Sequence, residues 1–204
     1  MPRIEPLPIE TMPEVRDIAD ATQARLGFIA NSMRILSYRP GIARAFTELA
    51  RAVNGADTTL DKPLRSMIAQ VASRTAGCSY CMAHTAHSGL KAGISDEKEH
   101  ALWEYETSPL FNAAERAALR VAQLAAMVPN QVSDADFAGL KKHFRDEQIV
   151  DIVAVISFYG FLNRWNDTMA TELEASPLET GRRILTERGW SPGKHGPAGG
   201  SSAG

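Results

Sequence analysis

Apolar residues recur at helical spacing along most of this 204-residue chain. In residues 14–25, for example, Val15, Ile18 and Ala19 lie on one face of a predicted helix that ends before Gly27. Similar stripes predict helices at residues 41–53, 61–76, 79–91, 95–105, 113–127, 135–144 and 147–172, with a short apolar turn or helix at 28–36. Sustained alternation of apolar and polar residues is absent from the sequence. The pattern predicts an all-α fold, a single-domain bundle of about eight helices.

The two ends of the chain differ from its middle in composition. Residues 1–13 contain four prolines and predict an extended arm that lies over the surface or over a partner subunit. Residues 14–190 contain the helical domain. Residues 191–204 are rich in Gly, Ser, Pro and Ala and predict a disordered tail.

The predicted helix at 147–172 changes character along its length. Residues 149–162 are apolar on all sides, which is typical of a helix covered by neighbours on every face. A polar patch follows, with Asn163, Arg164, Asn166 and Asp167. Arg164 and Asp167 either pair at the surface, being three residues apart, or line a pocket near the candidate active site.

Composition and charge narrow the classes of partner. The chain is 44% hydrophobic and 23% charged, with a net charge of -2, and its basic residues are scattered, so neither nucleic acid nor an anionic membrane is indicated. The longest apolar run, residues 152–162, is shorter than the roughly 20 residues that span a bilayer. Prolines and an acidic residue near the N-terminus do not resemble a signal peptide. We therefore expect a cytoplasmic protein.

The candidate chemistry centres on a C-x-x-C motif, Cys78 and Cys81, which contains the two cysteines of the chain. Gly77 ends one predicted helix, and the motif that follows it begins the next helix. Residues three apart at a helix start are close enough to form a disulfide after a small adjustment, and the free N–H groups there stabilise a thiolate. In a reducing compartment such a pair indicates catalytic redox cycling or metal binding rather than a permanent disulfide.

Two other interpretations of the motif have to be weighed. His84 and His87 follow the cysteines, and all four side chains are of types that zinc accepts. Successive steps of three residues drift by about 60° around a helix, however, so the four cannot converge on one tetrahedral ion, and no metal is expected. The other interpretation is that both thiols are buried as small hydrophobic side chains.

Residues 78–84, Cys-Ser-Tyr-Cys-Met-Ala-His, preceded by 67–74, resemble the carboxymuconolactone decarboxylase/alkylhydroperoxidase D-like superfamily in its peroxidase-related branch. Residues 111–119 and 161–167 are similar to later segments of that superfamily. The resemblance covers roughly residues 15–175. It implies a helical fold, trimers or hexamers, and an antioxidant thiol peroxidase without a cofactor beyond the redox-active Cys78–Cys81 disulfide. Its substrate would be a peroxide or a small organic molecule, and an external dithiol would restore the thiols.

The resemblance also implies roles for the two cysteines. Cys81 would attack the peroxide, and Cys78 would resolve the resulting sulfenic acid to a disulfide. The helix-start argument instead favours Cys78 as the more acidic thiol, so the two arguments disagree, and the first hypothesis follows the resemblance. Tyr80, between the cysteines, is a candidate pocket residue.

The sequence departs from the family pattern at two positions of the proton relay. The usual histidine four residues after the second cysteine is Thr85 here, and the usual glutamate twelve residues before the first is Ser66. His84 lies about 60° from Cys81 around the helix and is the better candidate base, ahead of His87. The sequence leaves the carboxylate open among three residues, and Ser66 with Gln70 is a possible water site. The three carboxylate candidates are Asp61, Glu104 and Asp167.

A second hypothesis comes from the decarboxylase side of the superfamily. In a cofactor-free lyase, His84 would act as acid or base on a small carboxylated substrate held by Arg164. That chemistry does not need two cysteines, so the C-x-x-C favours the thiol oxidoreductase.

Overall fold

The computed structural model describes residues 2–197, apart from the side chain of Arg25. Within these residues the chain forms ten α-helices and several short 3₁₀ turns, with no β-strand, in a single domain. The predicted all-α fold is confirmed. The helices are α1 (Arg16–Leu26), α2 (Asn31–Leu36), α3 (Pro40–Asn54), α4 (Lys62–Thr75), α5 (Ser79–Lys91), α6 (Asp96–Ala101), α7 (Ala113–Ala126), α8 (Asp134–Lys141), α9 (Asp146–Met169) and α10 (Ala175–Ile184).

Helix α4 occupies the middle of the bundle and packs against α5, α7 and α9. Its side chains from Met67 to Ser73 are all buried, as expected for a helix with neighbours on several sides. Helix α5, which carries the cysteines, packs between α4 and α10. The candidate site therefore lies in the interior of the bundle.

Local signals explain why these helices begin where they do. The Asp61 carboxylate accepts a hydrogen bond of 2.7 Å from the backbone N–H of Leu64 and caps α4. Asn112 and Glu115 form a reciprocal capping box at α7, with both hydrogen bonds at 2.9 Å. Between α4 and α5, Gly77 has a φ of 74°, a left-handed conformation that glycine adopts without strain. This turn delivers Cys78 to the N-terminus of α5.

Helix α9 differs from its prediction. Its apolar segment was expected to be covered on every face, but Val150, Val153 and Phe161 are 67%, 41% and 43% exposed. They lie along an apolar face that the described part of the chain leaves uncovered. No helix among residues 2–197 is long and apolar enough to cross a membrane.

The N-terminal arm lies over the surface of its own chain. The backbone N–H of Arg3 donates to the carbonyl of Met169 at 2.9 Å, and the Arg34 guanidinium donates to the carbonyls of Leu7 and Pro6. These contacts attach the arm to α2 and to the end of α9.

The expectation of disorder from residue 191 onward does not hold for residues 191–197. His195 is 1% exposed, and its carbonyl accepts a hydrogen bond of 2.9 Å from the N–H of Leu173. Just before it, Trp190 packs its ring against Gly181 of α10 and donates from Nε1 to the carbonyl of Ser79 at 3.1 Å. Residues 191–197 are therefore packed against the domain although their composition predicts disorder. The rest of the predicted tail, residues 198–204, lies outside the described residues.

Candidate active site

The two cysteines lie at the N-terminus of α5, as predicted. Cys78 is the N-cap residue, and its Sγ accepts a hydrogen bond of 3.4 Å from the backbone N–H of Cys81. Both are free thiols and are almost completely buried, at 0% and 2% exposure. The Asn166 side chain of α9 lies on the other side of Cys81, with its Nδ2 3.6 Å from the Cys81 Sγ. The pair is therefore enclosed by polar contacts in an otherwise apolar interior.

The surroundings separate the two thiols chemically. A hydrogen bond from the Cys81 thiol lowers the pKa of Cys78, and this effect outweighs burial, which acts in the opposite direction. Burial raises the pKa of Cys81 well above its usual value, and the hydrogen bond to Cys78 adds to this rise. The Asn166 amide opposes it more weakly. Cys78 is thus the more acidic member of the pair, in agreement with its place at a helix N-terminus.

A second cluster forms around the carboxylate of Glu174, the residue that precedes α10. His84 Nε2 lies 2.6 Å from Glu174 Oε2, and the Tyr80 hydroxyl donates to Oε1 at 2.9 Å. The backbone N–H of Asn31 also donates to Oε1. The rings of Tyr80 and His84 stack at 4.3 Å between centroids, and the ring of Phe28 meets His84 edge-on at 5.8 Å. The His84 ring is therefore held from three sides.

Electrostatics fixes the protonation of this cluster. Burial alone would raise the pKa of Glu174, but the charge and hydrogen bond of His84, with the Asn31 N–H, hold it below its usual value. Burial and the Glu174 charge raise the pKa of Tyr80 well above its usual value. Glu174 is therefore ionised and accepts hydrogen bonds from both neighbours. Because a carboxylate only accepts, His84 carries a proton on Nε2, and its Nδ1 is the nitrogen that does not face Glu174.

Sequence reasoning missed Glu174 together with the whole of α10. The region did carry a signal, because Pro177 lies in the first turn and Leu178, Gly181 and Ile184 share a buried face at helical spacing. No local pattern, however, connects residue 174 with His84, ninety residues earlier.

The three carboxylates suggested for the relay have other partners. Asp61 caps α4, Glu104 pairs with Arg188 at 2.6 Å, and Asp167 pairs with Lys194 at 2.8 Å. Asp167 also lies 3.7 Å from His195 Nε2 and close enough to the cysteines for its charge to raise both of their pKa values. Glu174 is the carboxylate that contacts His84.

The remaining relay candidates lie apart from the sulfurs. Ser66 is half-buried on α4, and no hydrogen bond within residues 2–197 connects it to a cysteine. Gln70 is fully buried and lies beside Glu99 of α6. His87 Nδ1 lies 2.9 Å from the Thr180 hydroxyl, and burial lowers the pKa of His87. His87 therefore packs α5 against α10, away from the cysteine pair.

The polar patch on α9 divides between the cysteine site and an open groove of about 1220 Å³. Asn163, Arg164 and Asp167 line the groove, whereas Asn166 contacts Cys81. Asn163 is 3% exposed and its amide has no hydrogen-bond partner among the described residues, while Arg164 is exposed. The predicted surface pair of Arg164 and Asp167 does not form, because Asp167 turns to Lys194.

The zinc interpretation fits the side chains poorly. His84 points to Glu174 and His87 points to Thr180, so neither imidazole joins the cysteines. Among the described residues, no group of three or more His, Cys, Asp or Glu side chains is arranged to share an ion.

Residues 40–124, which include α3 to α7 and the cysteine motif, match the model of the carboxymuconolactone decarboxylase family. The debrominase Bmp8 is 31% identical, with a TM-score of 0.82 over 89% of this chain and 97% of that one. The chain belongs to the carboxymuconolactone decarboxylase family. A cysteine-to-alanine variant of Bmp8, in complex with 2,3,4-tribromopyrrole, superposes equally well, with a TM-score of 0.83 over 96% of that chain.

Two further proteins are similar to this chain. A peroxidase-related protein with an AhpD core from Ralstonia eutropha JMP134 is 26% identical, with a TM-score of 0.76 over 89% of this chain and 96% of its own. YnjA of Escherichia coli K12 is 29% identical over 110 residues, which are 54% of this chain and 60% of YnjA. The family fold thus extends over nearly the whole of this carboxymuconolactone decarboxylase family member.

Proposed function

We propose that this protein is a dithiol oxidoreductase that reduces a peroxide and converts Cys78 and Cys81 to a disulfide. The observation that carries the proposal is the hydrogen-bonded thiol pair at the start of α5, in which Cys78 is the more acidic sulfur. A thiolate is the nucleophilic form of cysteine, and a neighbouring thiol is what resolves the oxidised product.

The proposed reaction has two steps. The Cys78 thiolate attacks the peroxide, breaks the O–O bond and becomes a sulfenic acid, and the departing alkoxide takes a proton and leaves as an alcohol. The Cys81 thiol then attacks the Cys78 sulfur and releases water, so that two thiols and one peroxide give a disulfide, an alcohol and water. An external dithiol restores both thiols by exchange, which suits a reducing compartment such as the cytoplasm.

This order of attack is the reverse of the one implied by family resemblance. In the structure no hydrogen bond joins His84 to either sulfur among the described residues, so no base offsets the burial that keeps Cys81 protonated, and the Asn166 amide opposes burial only in part. Cys78 needs no such base, because the helix N-terminus and the Cys81 thiol already favour its thiolate.

His84 has a separate role in this scheme. Held by Glu174, it passes a proton from Nδ1 to the departing alkoxide and recovers one from solvent. The stack on Tyr80 and the edge contact with Phe28 fix the plane of the ring. The Glu174 carboxylate orients the imidazole through the contact with Nε2, as in other carboxylate-oriented histidines.

A second candidate substrate class is a halogenated aromatic compound. The similarity to the debrominase Bmp8 over 97% of that chain, and its variant complex with 2,3,4-tribromopyrrole, favour this candidate. The electron balance is the same, because an aryl bromide and two thiols give the reduced arene, bromide, a proton and a disulfide. The lyase alternative gains no comparable support, since the exposed Arg164 has no contact with His84 among the described residues.

Counting free thiols against each oxidant tests the proposal. We expect an equimolar amount of hydrogen peroxide or tert-butyl hydroperoxide to remove two thiols per chain, with dithiothreitol restoring both. 2,3,4-Tribromopyrrole, with bromide release measured in parallel, tests the second candidate. A chain with both cysteines replaced by serine is the control for uncatalysed reactions. If neither class of oxidant removes thiols faster than from a denatured sample, the proposed function is wrong.

We also propose that the apolar face of α9 is covered by other copies of the chain in a homo-oligomer of trimeric or hexameric type. The exposure of Val150, Val153 and Phe161 supports this, because contiguous exposed apolar patches mark interaction sites. We expect light scattering to give a multiple of the chain mass, and Val153→Glu to shift it toward the monomer. A monomeric native chain would contradict this.

A further inference from the structure

A buried carboxyl group that the proposed cycle does not use lies between α4, α5 and α6. Glu99 of α6 is 1% exposed, and its carboxyl group rests directly on Gly89 of α5, where a Cβ atom would overlap Oε1. Neither carboxyl oxygen has a hydrogen bond of normal geometry within the described residues. Burial of an acid at this depth is costly, so its presence calls for a physical role.

Two further buried polar side chains lead from Glu99 toward the cysteines. The Gln70 amide of α4 lies beside Glu99, and Ser73 follows one turn later on the same face of α4. Both residues are 0% exposed, and their side-chain polar atoms have no hydrogen-bond partner among residues 2–197. The Ser73 carbonyl accepts a hydrogen bond of 3.1 Å from the N–H of Cys78. This backbone contact places Ser73 beside Cys78 at the start of α5.

Glu99 is neutral at ordinary pH. Burial raises its pKa to about 8, the neighbouring Gln70 amide acts in the opposite direction, and the charge of Asp96 on the same helix adds a smaller rise. Asp96 is the charged group that acts on Glu99, and the neighbours Gln70, Gly89 and Ile94 are uncharged. A neutral carboxylic acid in this position is a proton donor. Polar atoms without protein partners are also the groups that buried waters satisfy, and such waters carry protons between side chains.

We propose that Glu99 supplies the proton that the cysteine pair needs when its disulfide is reduced, acting through Gln70 and Ser73. This inference rests on the proposed dithiol function. An external thiolate attacks the Cys78 sulfur, the S–S bond breaks, and Cys81 departs as a thiolate. Glu99 donates its proton along the row to Cys81 and becomes a carboxylate. The second thiol of the external dithiol closes the external disulfide, releases Cys78, and its proton returns to Glu99 through solvent.

The donor is needed because Cys81 is poorly placed to stay ionised or to take a proton from solvent. It is 2% exposed, and burial favours its neutral form. His84 lies on the Glu174 side and is engaged by that carboxylate. In this scheme Glu174 acts through His84 in the oxidative half of the cycle, and Glu99 acts on Cys81 in the reductive half. Glu99 works through other residues and does not touch the substrate, so it is a positioning residue.

The reductive half-reaction tests the inference. The disulfide is formed with peroxide or diamide, reduced with dithiothreitol in stopped-flow mixing, and the recovered thiols are counted at pH values from 6 to 9.5. We expect Glu99→Gln to be reduced about tenfold more slowly than the native chain at pH 6.5. The ratio of variant to native rates should rise to one above pH 9, where native Glu99 has lost its proton. Exposed Glu97, on the same helix, supplies the control variant Glu97→Gln, with a ratio of one throughout.

Gln70→Leu keeps Glu99 but interrupts the row, and it should reproduce the pH-dependent ratio of Glu99→Gln. A ratio of variant to native reduction rates that is the same at every pH, in either variant, would overturn the inference. A purely structural role would change the rate equally whether or not Glu99 is protonated. Thermal unfolding of each variant shows that it is folded. Failure of the native chain to form the disulfide would refute the proposed function and this inference together, whereas a disulfide with a flat ratio refutes this inference alone.

Discussion

Replacing Cys78 with serine is expected to abolish peroxide consumption, with a loss on the order of 1,000-fold in rate. The reason is that Cys78 is the acidic thiol: it lies at the N-terminus of α5 and receives the hydrogen bond of Cys81. The remaining Cys81 is buried with a raised pKa and should stay reduced. Intact-mass measurement after peroxide addition should show no added oxygen on this variant.

Replacing Cys81 with serine should give the complementary result. Cys78 is oxidised once, no disulfide forms, and the sulfenic acid accumulates as one added oxygen that dimedone traps. Ser88→Ala, on the same helix and remote from the sulfurs, is the matched control and should turn over normally. If instead the Cys78→Ser protein accumulates the sulfenic acid, the order implied by family resemblance is right and the order proposed from the geometry is wrong.

Replacing Glu174 with glutamine is expected to lower turnover about 100-fold and to destabilise the fold by about 3 kcal/mol at neutral pH. The substitution removes the charge that faces His84 and turns an acceptor of three hydrogen bonds into a group that also donates. Steady-state kinetics and denaturant unfolding measure the two effects. Glu179→Gln, an exposed change on α10, should be neutral in both.

The loss of stability in Glu174→Gln should depend on pH. Because the folded-state pKa of Glu174 lies below its unfolded value, its ionised form contributes stability above the unfolded pKa, and this contribution is lost as pH falls through the folded pKa. The difference in unfolding free energy between the native chain and the variant should therefore be full at pH 6 to 7 and should shrink in acid. If the difference in unfolding free energy stays constant from pH 7 down into acid, Glu174 acts by packing and not by charge.

The helical fold was predictable because it depends on local signals. Apolar spacing placed the helices from α3 to α9, and side chains such as Asp61 and Asn112 marked helix starts within one or two residues. The prediction for α9 failed because tertiary packing, and not local sequence, determines which faces of a helix are covered. A helix with apolar residues on every side was expected to be covered, yet Val150 is 67% exposed, because an apolar sequence does not show which faces of a helix the rest of the chain covers.

The candidate site was predictable in its sulfurs and its imidazole but not in its carboxylates. Cys78, Cys81 and His84 are close in sequence, so helical geometry alone relates them. Glu174 reaches His84 only because α10 packs on α5, and Glu99 is buried only because α6 folds back over Gly89. Both contacts are products of tertiary packing, which a single sequence does not encode in any short pattern.

The segment that carries Trp190 and His195 has a consequence for how the thiols are measured. Its indole is hydrogen-bonded to the carbonyl of Ser79, inside the C-x-x-C, and it packs in the same apolar cluster as both sulfurs. Because both sulfurs are buried, a bulky alkylating agent can label the native protein only when the packing around them opens locally. The labelling rate then reports how often that local opening occurs. Counting the thiols themselves requires a denatured sample.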